Sequence, residues 1–395
     1  MRLRPVNLPL RLGWVAFLND ASGEVLARVL PLMLLGVSGV HPAFVGTVEG
    51  LADSAAILLK GVSGWLSDQA ESRKGFVVAG YGLSVGARIL YLVGLAPVLL
   101  GTARVLDRVG KGLRGAPRDA MVADAAAQGQ AGRAFGITRF LDTLGAMTGL
   151  ALVLMLGVGQ GPMDAQTFRR CAWIAVPLGL AALLLLVLAV PRVPRAKPVA
   201  RRLDWRIPRE IRGYLLLVLI FGLANSSDAF LVLRAREAGF SVRGILALFL
   251  AFNALGALCA LPAGRLSDRL GRVPFLAAGW GVYAAAYAAM ALAHGPWAFG
   301  GALLGYGAFY GLTEGVEKAL LADLLPAEAR GTGFGAFQTV TALATLVASP
   351  MMGLAAGWLG LAKAMLLASG LALIALVGLL AWAAARRGLP RTGGL

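Results

Sequence analysis

Arg104–Asp124 reads RVLDRVGKGLRGAPRDAMVAD. It lies between apolar runs long enough to cross a bilayer, yet it carries Arg104, Asp107, Arg108, Lys111, Arg114, Arg118 and Asp119. Arg104, Arg108, Lys111 and Arg118 fall at or near i, i+4, i+7 and i+14, so a helix would bear them as one cationic stripe. A charge at mid-bilayer costs ~2.5–3.5 kcal/mol even on the lenient insertion scale. Such a stripe cannot face acyl chains. The segment must face protein or a water-filled cavity, and carboxylates must reach it from other helices.

The rest of the chain is suited to provide that setting. Of its 395 residues 58% are hydrophobic and 14% charged, where soluble domains carry about 25% charged residues. The mean hydropathy is +0.75. These values predict an all-α polytopic membrane protein. The net charge of +17 would suit a nucleic-acid binder, but the Lys and Arg gather in alternate loops. Only Arg169, Arg170, Arg234, Arg236, Arg243 and Lys363 fall in the intervening ones. The partner is therefore the lipid bilayer and not nucleic acid, and both termini are expected in the cytoplasm. Cys171 and Cys259 stand in separate apolar runs and suggest no disulfide framework. The basic start, MRLRPVNLPLRLGW, leads into a run holding Asp20, Glu24 and Arg28 with no small-residue cleavage site. It predicts an uncleaved first span.

Apolar windows predict twelve spans, at 12–36, 43–66, 75–97, 99–122, 135–158, 172–190, 211–235, 241–264, 274–294, 297–322, 334–357 and 361–385, each near the ~20 residues a bilayer needs. The one long connection, residues 191–210, is proline-rich and basic and reads as a cytoplasmic linker beside anionic headgroups. It divides the chain into a first bundle, 1–190, and a second, 211–395. The halves repeat. WLSDQAESRK after Gly64 is echoed by RLSDRLGR after Gly264, and Asp124, Gly132, Phe135 and Gly136 recur as Asp323, Gly331, Phe334 and Gly335. NDASGEVLAR from Asn19 matches NSSDAFLVLR from Asn225 over the same interval. Three matches in one order at nearly one offset predict a duplicated six-helix unit, with a site expected between the halves near the midplane.

Gly264-Arg-Leu-Ser-Asp268-Arg-Leu-Gly-Arg272 resembles the loop motif G-x-L-a-D-r-x-G-R of the major facilitator superfamily, and Gly64-Trp-Leu-Ser-Asp68 with Arg73 and Lys74 resembles it with a degraded tail. FLNDASGEV, DRVGKGLRGAPRDAMVAD, NSSDAFLVLRA and GLTEGVEKALLADLLP are similar to one bacterial subgroup of exporters. The resemblance implies two pseudo-symmetric six-helix bundles around a cavity that opens alternately to each side of the bacterial inner membrane. It implies spans 1, 2, 4, 5, 7, 8, 10 and 11 as cavity walls. Physically, glycine lets a helix end approach its neighbour, and an aspartate is favoured at a helix N-terminus. Basic residues after it can pair with an acid closing span 4 or 10, which suggests Arg73 or Lys74 with Asp124 and Arg269 or Arg272 with Asp323. Gly64, Asp68, Arg73 and Asp124, with Gly264, Asp268, Arg272 and Asp323, are thus expected to form two cytoplasmic latches that break as the halves rock.

The charges sort by helix. Asp20, Glu24 and Arg28 share a face of span 1, and Glu49 and Asp53 a face of span 2; Arg139 and Asp142 lie on span 5, Asn225 and Asp228 on span 7, and Glu314, Glu317 and Lys318 on span 10. Spans 6, 9 and 12 carry no central charge. Glu24, Asp53 and Lys111 are expected nearest mid-membrane, and Arg118, Arg139 and Lys318 toward the cytoplasm. Intramembrane acids and bases match in number, so Arg104 with Asp107 and Arg118 with Asp119 read as structural pairs. Asp20, Glu24, Asp53, Asp228 and Glu314 read as carboxylates able to load and release a proton when their partner changes. Arg108, Lys111 and Arg114 suit an anionic substrate group or a gate for the proton. Gly145 and Gly149 on span 5 have spacing for close helix packing, without the proline of proton-coupled drug antiporters.

The expected function is a proton-linked secondary transporter, monomeric, exporting a small organic solute. The alternatives are export of a metal ion or metal chelate, and uncoupled passage of an organic anion. An enzyme is disfavoured: His41 and His294 are the only histidines, both at external helix ends, and neither a metal-ligand cluster, a nucleophile elbow nor a P-loop is legible. No catalytic residue, cofactor or resident metal is expected.

Overall fold

The computed structural model describes residues 7–37, 39–125, 131–157, 163–192, 209–325 and 330–387. Among them the regular structure is helical throughout. The first half holds α1 (Asn7–Leu32), α2 (Pro42–Gln69), α3 (Lys74–Val93), α4 (Pro97–Ala125), α5 (Ala131–Met155) and α6 (Ala165–Ala189). The second holds α7 (Arg212–Ala224), α8 (Ala229–Glu237), α9 (Val242–Leu270), α10 (Arg272–Leu292), α11 (Pro296–Asp323), α12 (Arg330–Leu359) and α13 (Leu361–Arg387). With α7 and α8 together making one span, these are the twelve. Most of the predicted linker, residues 193–208, lies outside the described residues.

Local chemistry fixes the helix ends. Pro42 starts α2, where its missing N–H costs nothing, and His41 Nδ1 accepts from Ala43 N–H at 3.2 Å. Asp164 caps α6, accepting from Thr167 N–H at 2.7 Å; that bond holds its carboxyl below the usual range. Pro31 removes a ladder donor near the end of α1, and the next residues, Met33–Val37, relax into a π-turn. α12 and α13 are joined by Gly360 at φ 85°, a conformation open to glycine.

The seventh span differs from expectation. Residues 211–235 were expected to form one helix, but α7 stops at Ala224 and α8 starts at Ala229. Asn225-Ser-Ser-Asp228 is four short polar residues in a row, each able to draw backbone bonds away from a helical ladder. The freed groups are met locally. Tyr283 OH donates to the Ala224 carbonyl at 2.7 Å, and the Ser227 N–H donates to Ser349 Oγ at 3.1 Å.

Contacts group the chain into two compact units, residues 1–202 with 228–250, and 203–227 with 251–395. In the first, α1 packs on α5 and α6, α2 on α4, α3 on α4 and α6, and α8 against α1. Gly145 and Gly149 press α5 onto α1, since a Cβ at either would collide with the carbonyl of Phe17 or Ala21. In the second, α10 packs on α11 and α13, and α7 on α12 and α13. Nine helices among the described residues are long and apolar enough to cross a membrane. The remaining three of the twelve, α1, α4 and α11, are rich in charge or glycine. On α6 and α13, Trp173, Leu184, Leu188, Ile374 and Val377 are exposed apolar side chains suited to lipid.

Candidate functional site

In the first unit the stripe on α4 meets carboxylates from α2 and α5. The most enclosed contact is a fork: Arg104 Nε and Nη2 donate to the two oxygens of Glu49 at 2.9 and 2.8 Å, with side chains only 8% and 2% exposed. Asp107 accepts instead from Arg88 of α3 at 3.1 Å, and Arg88 also donates to Ser22 Oγ at 2.8 Å. The expected pairing of Arg104 with Asp107 is therefore not made. The two diverge around α4, one toward α2 and the other toward α3. Arg88, unplaced by sequence, is a buried strut; its signal was simply an arginine inside an apolar run.

The other charges are more open. Arg108 Nε lies 3.2 Å from Asp53 Oδ1. Arg118 forks onto Asp142 at 3.2 and 3.1 Å and lies 3.5 Å from Asp119, which also meets Lys60 at 3.3 Å. Arg28 holds Glu24 at 2.7 Å and Asp228, at the helix break, at 3.3 Å. Its guanidinium lies 4.1 Å from the Phe249 ring centroid, a cation–π contact that charge spacing alone does not reveal. Arg114 is buried with Ser84 Oγ at 2.7 Å and the Tyr81 ring centroid at 4.6 Å. It is a wall component, away from solvent.

Two groups stand outside this pairing. Asp20 accepts from the Asn19 side-chain amide at 3.1 Å and has no cation within 4 Å among the described residues. Among the described residues Lys111 has no carboxylate within 4 Å, and it is exposed. Yet Arg108, Asp20, Arg114 and Asp53 all act on the Lys111 ammonium electrostatically, as it acts on Glu24. Lys111 is thus an exposed group among charges carried by three helices, α1, α2 and α4. Lys111 is the central residue of α4, and Asp20 is within one turn of the centre of α1, so both lie near the midplane of helices that span ~40 Å.

Of the loop-motif residues, those described meet at helix ends. Arg73 bridges Asp68 at 2.7 Å and Asp124, and Gly64 brings α2 against Ala116. Arg272 pairs with Asp323 at 3.3 Å and donates to Ser267 Oγ at 2.8 Å. The surroundings of Gly264 and the side chains of Asp268 and Glu314 lie outside what the structure describes. Glu317 acts electrostatically on the Tyr214 hydroxyl, and Asn225 ends α7, its N–H bonded to the Phe221 and Gly222 carbonyls.

In the second unit the interior is aromatic, which charge spacing also missed. Tyr283 stacks on Tyr287 with centroids 4.2 Å apart, Phe221 on Trp280 at 4.5 Å, and Tyr306 on Phe309 at 5.5 Å. The visible signal is Trp280, Tyr283 and Tyr287 on one helical face, with Tyr306, Phe309 and Tyr310 on another.

Over residues 12–250, and again over 214–393, the chain matches the Major Facilitator Superfamily. It is 32% identical over 355 residues to an uncharacterized MFS-type transporter of Methanocaldococcus jannaschii, covering 87% of this chain and 86% of that one. An uncharacterized protein of Mycobacterium tuberculosis is 28% identical over 360 residues, covering 86% and 84%. Among solved structures, one of the nucleoside transporter NupG superposes with a TM-score of 0.80 at 13% identity, over 95% of this chain and 99% of that one. At that identity the likeness is one of fold.

Proposed function

Because the chain belongs to the major facilitator superfamily and is a multi-pass secondary transporter, we propose that it couples proton movement to export of a small organic solute by alternating access. Asp20 carries the proposal. Every other described intramembrane carboxylate of the first unit has a cation within 4 Å, and Asp20 has none. A carboxylate pinned by a guanidinium is committed to that partner, whereas one held only by an amide is open to a new partner as the helices move, which proton coupling requires. Lys111, equally unpaired, receives the anionic part of the solute. Arg108–Asp53 and Arg118–Asp142 keep the wall wet and neutral, and Arg28 with Glu24 and Asp228 closes its outer end.

The moving bodies in this proposal are residues 1–190 and 211–395 joined by 191–210, in a monomer with both termini cytoplasmic in a bacterial inner membrane. Export is assigned on the likeness of FLNDASGEV and its companion stretches to bacterial exporters. The latches Asp68–Arg73–Asp124 and Arg272–Asp323 gate the motion. The test is uphill solute flux in proteoliposomes carrying an imposed proton gradient. Collapse of that flux on adding a protonophore is expected; uphill flux that survives it rules out proton coupling.

A further inference from the structure

We propose that the wall of the first unit recognises a small zwitterion, with Asp20 receiving its cationic group and Lys111 its anionic group. This rests on reading the chain as a transporter whose solute binds there. The groups have opposite charge and act on one another, but they stand too far apart to pair. The remaining charges around them are committed: Asp53 to Arg108, Glu24 to Arg28, and Arg114 to Ser84 and Tyr81. A lysine stem is long and mobile, so a carboxylate within its reach would be captured. Asp20 and Lys111 thus stand on two packed helices, α1 and α4, as an acceptor and a donor that do not meet among the described residues. The Asn19 amide, 3.1 Å from Asp20 Oδ1, fixes the orientation of the acceptor.

The two unpaired groups disfavour ligands of one sign. An anion at Lys111 meets the fields of Arg108 and Arg114 as well as those of Asp20 and Asp53, and a cation at Asp20 comes within that of Lys111 and Arg118. Either neutralises one group and leaves the other facing an uncompensated charge, a penalty that grows as the cavity loses water. A ligand carrying both charges satisfies both groups and leaves the net charge of the wall unchanged. Its two charges need only span the separation between the two groups.

The test is a thermal-shift titration of the purified full-length chain with glycine, β-alanine, γ-aminobutyrate, leucine and phenylalanine. Each is paired with its N-acetyl and methyl-ester forms, which keep only the negative or only the positive charge. At least one zwitterion is expected to stabilise the protein at concentrations roughly tenfold or more below those of its singly charged forms. Asp20→Asn should abolish discrimination against the N-acetyl form, and Lys111→Gln discrimination against the ester. Equal response to a singly charged form, or no response to any zwitterion, overturns the proposal. If a zwitterion binds but never crosses a proteoliposome membrane, the transport reading fails and recognition stands. If some other solute moves uphill on the proton gradient and no zwitterion binds, recognition fails alone.

Discussion

The two sequence repeats use equivalent positions for opposite chemistry. An offset of 199 residues relates Asp124 to Asp323 and Arg73 to Arg272, and it also relates the crossings of α3 with α4 and of α10 with α11. Gly80 there touches Arg114, and Gly279 touches Thr313. At this shared crossing the first repeat places Ser84, Arg88, Asp107 and Lys111, and the second Tyr283, Tyr287, Tyr306 and Tyr310. One interior is held by ion pairs and the other by stacked rings, each ring pair worth ~0.5–1.5 kcal/mol beyond its buried area. A packed aromatic interior stabilises without needing partners of opposite charge. An ionic one gains little net stability over apolar packing, so the two repeats are held together by different means.

The comparison breaks most visibly at Glu49. Glu49→Ala strands the buried Arg104 and should cost ~3–5 kcal/mol, read as a lower melting temperature in detergent. Replacing both residues by leucine, as Leu303 already stands at the position equivalent to Arg104, should restore most of that loss. A double variant as unstable as the single one would mean that the ionic interior is itself the stabilising element. Next in size is the shared crossing. Gly80→Ala forces a Cβ onto the Gly110 carbonyl and the α4 backbone, at ~1–3 kcal/mol, whereas Gly279→Ala meets only the side chains of Thr313 and Leu312 and should cost less. Equal losses would show that the two crossings are not mechanically distinct.

Tyr283→Phe should cost about 1 kcal/mol by releasing the Ala224 carbonyl, and faster amide exchange over residues 225–228 would locate the effect at the helix break. In the latches, Asp68→Asn should slow conformational exchange several-fold and leave solute affinity unchanged; the reverse pattern would place that loop in the binding site. The smallest effect is at Asp164. Its carboxyl lies below its ordinary range because it accepts from Thr167, so its contribution to the start of α6 is present above the ordinary carboxylate value and lost as pH falls through the lowered one. Exchange at the first turn of α6 should rise in that acid window, and Asp164→Ala should erase the pH dependence.

The fold was legible because bilayer thickness imposes one length on every span and because the duplication repeats loop motifs as well as hydropathy. The break in the seventh span was missed because apolar content continues across NSSD, while the backbone follows those four polar side chains. Which helices carry the charge was readable from the cost of burying it, which places Asp20, Arg108, Lys111 and Asp142 on α1, α4 and α5. Pairing was not readable. Arg104 lies one turn from Asp107 in sequence, yet its fork meets Glu49, because partner choice depends on helix rotation, which spacing leaves free. The aromatic interior was hidden for a related reason: rings at helical spacing are ordinary in any apolar core, and only coordinates show that they touch.

The most direct measurement of the central claim is to compare Asp20→Asn with the unaltered protein in proteoliposomes, reading uphill solute accumulation under a proton gradient alongside gradient-free exchange of the same solute. The account predicts that accumulation is lost while exchange persists, since the variant keeps an oxygen acceptor but cannot carry the proton. Accumulation that continues undiminished in Asp20→Asn would contradict it.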